Sequence, residues 1–486
     1  MMKHFISKIA VLIFGATSLF SFTNPVSAQV TVADLFTDNM VLQQNRFVNV
    51  WGWAKAGETV SVSGSWSNRT VTAVTADDGK WMVKLPTPKA NKKCTPYNLI
   101  IKGSNTIVLK NVLIGEVWLL SGQSNMELPL KGWKDAPIEG SDKAISEAKY
   151  PNIRFVMTGK ANSATLQTKL PKAYANATWT RCVPESVQDF SALGYFFGKE
   201  LNTKLNIPIG LVLSAYGGSS CEAWTNKASL EKVDGYKGKG SWLPQKKDDN
   251  RTPGVLYNAM MAPIVPFTFA GVLWYQGETN VGRAAELTRL FPALIEGWRA
   301  DFGNPKLPFY YVQLCPWDGY WGTSLPEFWE AQSYALKLPN TAMIGTLDVG
   351  DSANVHPSRK EPIGRRLAWC ALANKYGDKT LEYSGPQYKS SVVEGNGIRV
   401  CFTHANKGLK LAAESSAQFE IAASDSLFVP AQVKIEGQTI YMWSEKVKAP
   451  KYVRYAWYRN AKAVLLNNEG LPALPFRTVL PTYMRQ

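Results

Sequence analysis

A chain of 486 residues is long for one folding unit and predicts two or three, with ample length for a buried core. Its formal charge of +16 is carried by scattered lysines rather than a basic block, which argues for a solvated surface or an anionic substrate and against nucleic acid. Three histidines and six cysteines without a CxxC pair supply no zinc ligand set, so neither a metal nor an organic cofactor is expected.

The first residues read as an export signal. Lys3 and Lys8 supply positive charge, residues 9–22 are largely apolar, and Val26-Ser27-Ala28 fits a small-residue cleavage site. The expected mature chain starts near Gln29, is periplasmic or secreted, and has no apolar stretch long enough for a membrane span. Cleavage removes Lys3, Lys8 and His4, leaving a charge of +14 and only His356 and His404 as imidazoles. An oxidising location permits disulfides, but the spacing of the cysteines does not reveal a pairing.

Residues 29–112 alternate polar and apolar at period two in short runs (48–52, 59–62, 70–74, 81–85, 99–102, 106–109), separated by turn signals such as Asp77-Asp78-Gly79. That spacing predicts an amino-terminal β-sandwich. From 113 to 380 the pattern changes to α/β. Strands are predicted at 116–120, 153–157, 209–214, 269–275, 309–314 and 342–348, with helices at 189–205, 284–302, 325–338 and 359–375, an alternation that gives a parallel sheet flanked by helices. Residues 381–486 return to short strands and form a carboxy-terminal β-rich region. The residues before the mature start, 1–28, stand apart as the signal peptide.

The chain is organised around 115–127, GEVWLLSGQSNME. An apolar strand closes on Ser121-Gly122, so Ser124 falls just past the strand's carboxyl end, where open α/β sheets bind ligands. A serine on a sharp strand-to-helix turn exposes its hydroxyl among backbone N–H donors. The competing reading is a serine that merely caps a helix. A serine hydroxyl needs a base within hydrogen-bond reach, and His356, on the loop DVGDSANVHPSRK after the strand predicted at 342–348, is the histidine placed to serve.

SGQSNM resembles the nucleophile block of the SGNH hydrolases, and within them of the sialate O-acetylesterase family of carbohydrate acetylesterases. Two further blocks follow in the family's order, AYGGSSCEAW at 215–224 and LWYQGETN at 273–280, and the histidine loop is similar to the family's HP block. The resemblance implies an acyl-enzyme route with Ser124 as nucleophile and His356 as base. It implies an oxyanion hole from the Ser124 N–H, the Gly217 and Gly218 backbone, and the Gln276 amide, with Asn280 as the competing assignment for the last. Many SGNH enzymes carry the orienting acid three residues before the histidine, where this chain has Ala353. Asp351, Asp348 and a backbone carbonyl are the alternatives, and Asp351 is preferred.

Asn125, Glu278 and Asn280 are expected to support the site, Glu278 by accepting backbone N–H bonds. Trp317 and Trp321 are expected at its rim and Arg359 near a substrate carboxylate. The expected activity is removal of O-acetyl groups from carbohydrate, with sialic acid implied by the resemblance and acetylated xylan as the rival substrate. A non-catalytic glycan-binding protein with a degenerate hydrolase centre is the reading from another class. The sequence does not reveal an oligomeric state.

Overall fold

The computed structural model describes residues 29–171, 178–238, 249–412 and 418–479; the export signal read in residues 1–28 lies outside them. The amino-terminal region folds as its alternation predicts. Lys80–Pro86 buries Trp81, Val83 and Leu85 and exposes Lys80, Met82 and Lys84, and it pairs antiparallel with Phe47–Trp53. Thr59–Gly64, Thr70–Val74 and Tyr97–Lys102 make a second antiparallel set, which joins the strand Thr106–Gly122 (β1).

That strand is the spine of the molecule. The boundary expected between residues 112 and 113 falls inside its 17 residues, so one backbone runs from the amino-terminal sheet into the centre of the next. Beyond Gly115 it pairs in parallel with Ile209–Ala215 (β3) on one side and Gly271–Tyr275 (β4) on the other. Tyr150–Met157 (β2) lies outside β3, and Phe309–Val312 (β5) and Thr341–Ile344 (β6) extend the other flank, giving the parallel order β2-β3-β1-β4-β5-β6. A short antiparallel strand, Thr180–Cys182, edges β2 and makes the sheet mixed.

Burial explains the sequence of these strands. Every residue of β3, β4 and β5 is buried, as expected when helices cover both faces, and such strands read as unbroken apolar runs. In β1, Val117 to Leu120 are wholly shielded, each side chain contributing about 1.5–3 kcal/mol by leaving water. Trp118 packs edge-on to Phe197 at 5.2 Å and against Tyr310 at 5.8 Å.

The covering helices include Ala192–Leu205 (α2), Ala284–Asp301 (α3), Ser324–Ser333 (α4) and Lys360–Asn374 (α5). The last two predicted strands run shorter than expected. They stop at Val312 and Ile344, and the segment to residue 359 is irregular, which lengthens the loop that carries His356.

The chain ends in three small sheets that pair among themselves: Gln387–Glu394 and Gly397–Thr403 with Gln432–Glu436 and Thr439–Trp443, a two-stranded pair, and a third set around Phe419–Ala422. The third set is fastened to α4 through the partly buried Arg477–Glu330 pair at 2.7 Å. The architecture is thus mixed α/β with β regions at both ends. All six cysteines are free thiols.

Candidate active site

The carboxyl ends of β1, β3 and β4 meet where the chain order reverses, the usual position of a ligand crevice in an open α/β sheet. β1 ends in a turn that only glycine allows. Gly122 has φ of 139°, and a Cβ there would lie 2.1 Å from the Tyr275 carbonyl oxygen. The next amide, Gln123 N–H, donates to that same carbonyl at 3.0 Å, and the Gln123 side chain accepts from Gly277 N–H at 3.1 Å. Ser124 then opens the single helical turn Ser124–Glu127 (α1). The residue at the cap position is Gln123, so the serine hydroxyl is not spent on capping.

The Ser124 Oγ lies 2.8 Å from His356 Nε2. Two residues 232 apart in sequence are therefore within hydrogen-bond reach. The histidine loop is shaped by its own side chains: Asn354 Oδ1 accepts the His356 N–H at 2.8 Å, while Asn354 Nδ2 donates to the Asp135 carbonyl at 2.8 Å. The edge-to-face ring of Trp133, 5.4 Å away at 88°, walls the imidazole. Partial burial, reinforced by the positive charge of Lys360, holds the ring below its ordinary pKa of 6.5.

The expected orienting acids are placed elsewhere. Asp351 Oδ1 accepts the Ala353 N–H at 2.9 Å, a local turn bond, and Asp348 is committed to Arg366 by a two-pronged pair at 2.7 and 2.5 Å. Among the described residues no carboxylate hydrogen-bonds the His356 ring. Arg359, expected near a substrate carboxylate, donates instead to the Asp348 carbonyl at 2.7 Å.

The glycine block does reach the serine: a Cβ on Gly217 would lie 3.5 Å from that of Ser124. Its N–H, however, donates to Glu127 Oε2 at 2.7 Å, and Glu127 is ion-paired with Lys160. Gly218 takes the left-handed conformation with φ of 70°, and its carbonyl accepts from Arg251 at 3.3 Å.

The third block departs from its expected role. Both protons of the Gln276 amide are used, toward Ser219 O at 3.1 Å and Asn280 Oδ1 at 2.7 Å, so Gln276 braces the glycine loop rather than presenting a donor. Asn280 is equally engaged, accepting also from Cys221 N–H and donating to Glu222. Glu278 is half-buried with its Oε2 shielded from solvent, and desolvation pushes its carboxyl above the usual range. It accepts from the Asn125 side chain at 2.5 Å, and the backbone amides of Gly277 and Glu278, as expected, also favour its charged form.

Two neighbours escaped the sequence reading. Trp133 sits in a loop with no strand or motif to mark it, and Lys360, four residues after His356, looks like one charge among several on a basic helix start. Lys360 is in fact fully buried, with its Nζ 2.5 Å from Asn125 Oδ1. The two expected rim tryptophans lie on the loop before α4. Trp317 packs edge-on to Tyr320 at 5.0 Å, and Trp321 is 74% exposed.

A cavity of about 470 Å³ adjoins the serine turn through Glu127 and the histidine through Trp133, and is also lined by Lys131, Met157, Lys160 and Asp189. Another, of about 510 Å³, lies between the amino-terminal sheet and the α/β part against Trp51, Trp53 and Tyr257, and contains neither Ser124 nor His356. Among the described residues, no three His, Cys, Asp or Glu side chains gather as metal ligands.

Comparison with known proteins identifies the family of the chain. Residues 114–372 match the family model described as carbohydrate esterase, sialic acid-specific acetylesterase. The chain is 31% identical to human sialate O-acetylesterase, with 73% of this chain and 72% of that protein aligned. It is 28% identical to the rat sialate O-acetylesterase over 91% and 93% of the two. The solved structure of a carbohydrate acetylesterase from Xanthomonas citri superposes with a TM-score of 0.83 at 34% identity, covering 93% of this chain and all of that one. The chain therefore belongs to the sialic acid-specific acetylesterase family of carbohydrate esterases, and it is an ester hydrolase.

Proposed function

We propose that this protein is an exported SGNH-type serine esterase that removes O-acetyl groups from carbohydrate, with O-acetylated sialic acid as the leading substrate. The observation that carries the reading is the 2.8 Å contact between Ser124 Oγ and His356 Nε2. With Nε2 accepting from the serine, the imidazole proton sits on Nδ1. Ser124 attacks the acetyl carbonyl as Nε2 takes its proton, and the imidazolium returns that proton to the departing sugar oxygen. Water, deprotonated by the same nitrogen, then releases acetate from the acyl-enzyme.

The oxyanion needs donors, each worth roughly 3 kcal/mol in the transition state. The Ser124 N–H lies at a helix start, where backbone amides have no intrahelical acceptor. It and the adjoining Gly218 N–H are the favoured pair, because the Gly217 N–H is held by Glu127 and the Gln276 amide is occupied. The cavity beside the serine contains Lys131 and Lys160, each paired with a carboxylate of the same wall, Asp189 and Glu127, so the preference for an acidic sugar rests on the family rather than on the charge of this cavity.

Release of acetate from p-nitrophenyl acetate tests the chemistry: Ser124→Ala and His356→Ala are each expected to lose at least ~1000-fold in kcat/KM. Undiminished turnover in either overturns the assignment and favours a non-catalytic glycan-binding role. Acetate release from O-acetylated sialosides against acetylated xylan decides the substrate class. Export rests on the signal read in residues 1–28, and a secreted product beginning at Gln29 is the expected result of amino-terminal sequencing.

A further inference from the structure

Directly behind the serine, the buried amide of Asn125 joins three separate segments. Its Nδ2 donates to Glu278 Oε1 at 2.5 Å and to the Val355 carbonyl at 3.0 Å, and its Oδ1 accepts from Lys360 Nζ at 2.5 Å. Val355 immediately precedes His356, and Lys360 is the first residue of α5, which the histidine loop enters. One amide next to the nucleophile thus grips the base's loop on both sides.

The ammonium is an expensive component. A buried lysine charge is tolerated only when paired and hydrogen-bonded, yet Asn125 is the one hydrogen-bond partner of the Lys360 ammonium among the described residues. Around it stand the Tyr275 ring, 5.4 Å away, the buried Cys315 thiol, and Glu278, whose carboxylate reaches it through the amide rather than by direct contact. On the other side of the loop the imidazole faces Ser124, Trp133 and the charge of Lys360, and among the described residues no acid hydrogen-bonds it.

We propose that Lys360 is a positioning residue for the Ser124–His356 pair: through Asn125 it ties the histidine loop to the nucleophile turn, and its positive charge opposes protonation of the imidazole. The inference rests on the reading of those two residues as nucleophile and base. In a triad, a carboxylate on Nδ1 both aims the ring and favours its charged form. Here aiming is done by the tie behind Asn125, and the nearby charge acts in the opposite sense, keeping the ring a free base at lower pH. Burial lowers Lys360 to about 8 while Cys315 and Glu278 partly offset it, so the ammonium is charged across the range where an imidazole titrates.

The scarcity of histidines makes a direct test practical. In full-length chain labelled at histidine, the ring resonances of only His4, His356 and His404 need to be resolved, with His356→Gln giving the assignment. In a Ser124→Ala background, Lys360→Met is expected to raise the His356 pKa by about half a unit or more and leave His404 unmoved. In the active enzyme the same change should move the acid limb of kcat/KM upward and lower kcat about tenfold or more, with KM nearly constant. Lys360→Gln keeps a donor for Asn125 and removes the charge, so it should reproduce the titration shift with a smaller loss of kcat, and it carries the test if the methionine variant does not fold.

A ring titration and an acid limb that stay at their original values in the folded variant overturn the proposal. Turnover surviving in Ser124→Ala or His356→Ala, with the ring shift present, defeats the catalytic reading instead.

Discussion

The two halves of the proposed catalytic pair are held by different means. Ser124 is delivered by the sheet: β1 ends at Gly122, and the turn is pinned to the neighbouring strand end by the Gln123 N–H to Tyr275 bond. His356 is delivered by an irregular loop, fixed by the side chains of Asn354 and Asn125 reaching across to other segments. Backbone geometry therefore places the serine, and a few side-chain hydrogen bonds place the histidine. Damage to the first half should cost stability, and damage to the second should cost activity first.

The sharpest way to break this contrast is Gly122→Ala. A Cβ at φ of 139° and 2.1 Å from the Tyr275 oxygen forces β1 and β4 apart. The expected loss is about 3 kcal/mol or more of unfolding free energy, read from denaturant titration, with activity falling alongside. A variant as stable as the parent would show that the turn is not set by the sheet.

Asn354→Ala should behave in the opposite way. It removes the acceptor of the His356 N–H and the link to Asp135, in a loop exposed to solvent, so kcat/KM should fall roughly tenfold while the unfolding midpoint hardly changes. A large fall in Tm with intact kcat in the surviving folded fraction would reverse the comparison.

The pH dependence sharpens it. His356 is held below 6.5 in the folded state, so the acid limb of kcat/KM should lie under that value. The sign for stability follows from the same depression. Between the folded pKa and 6.5 the unfolded chain binds the proton more readily, so the ring's contribution is complete above 6.5 and is lost as pH falls through the folded value. Comparing urea midpoints of wild type and His356→Gln across that window checks it.

The smallest effect is expected at Asp351. Its carboxylate serves a turn amide, so Asp351→Asn should change kcat/KM by less than about threefold, where loss of a true triad acid costs on the order of 10⁴-fold. A drop of the larger size would restore Asp351 as the orienter.

Much of this arrangement was legible in the sequence, for identifiable reasons. The buried strands announce themselves as apolar runs, Gly122 marks a turn, and the shortage of histidines singles out His356. Asp351, Gln276 and Lys360 were not legible in the same way. Proximity in sequence suggested that Asp351 serves the histidine, but its oxygen reached the nearer Ala353 amide. Gln276 occupies the anticipated block, yet which acceptors its protons find depends on Ser219 and Asn280 folding against it. Nothing local distinguishes the buried ammonium of Lys360 from the exposed cation of Arg365 on the same helix.

The unbroken run of Thr106–Gly122 also bears on how such enzymes can be taken apart. A shortened chain beginning at residue 113 would strip β1 of its first seven residues and of the pairing that Tyr97–Lys102 provides, leaving a raw strand end eleven residues upstream of Ser124. The two regions are thus less like beads joined by thread than like two planks sharing one beam, and swapping the first between relatives calls for a splice outside that beam, ahead of Thr106.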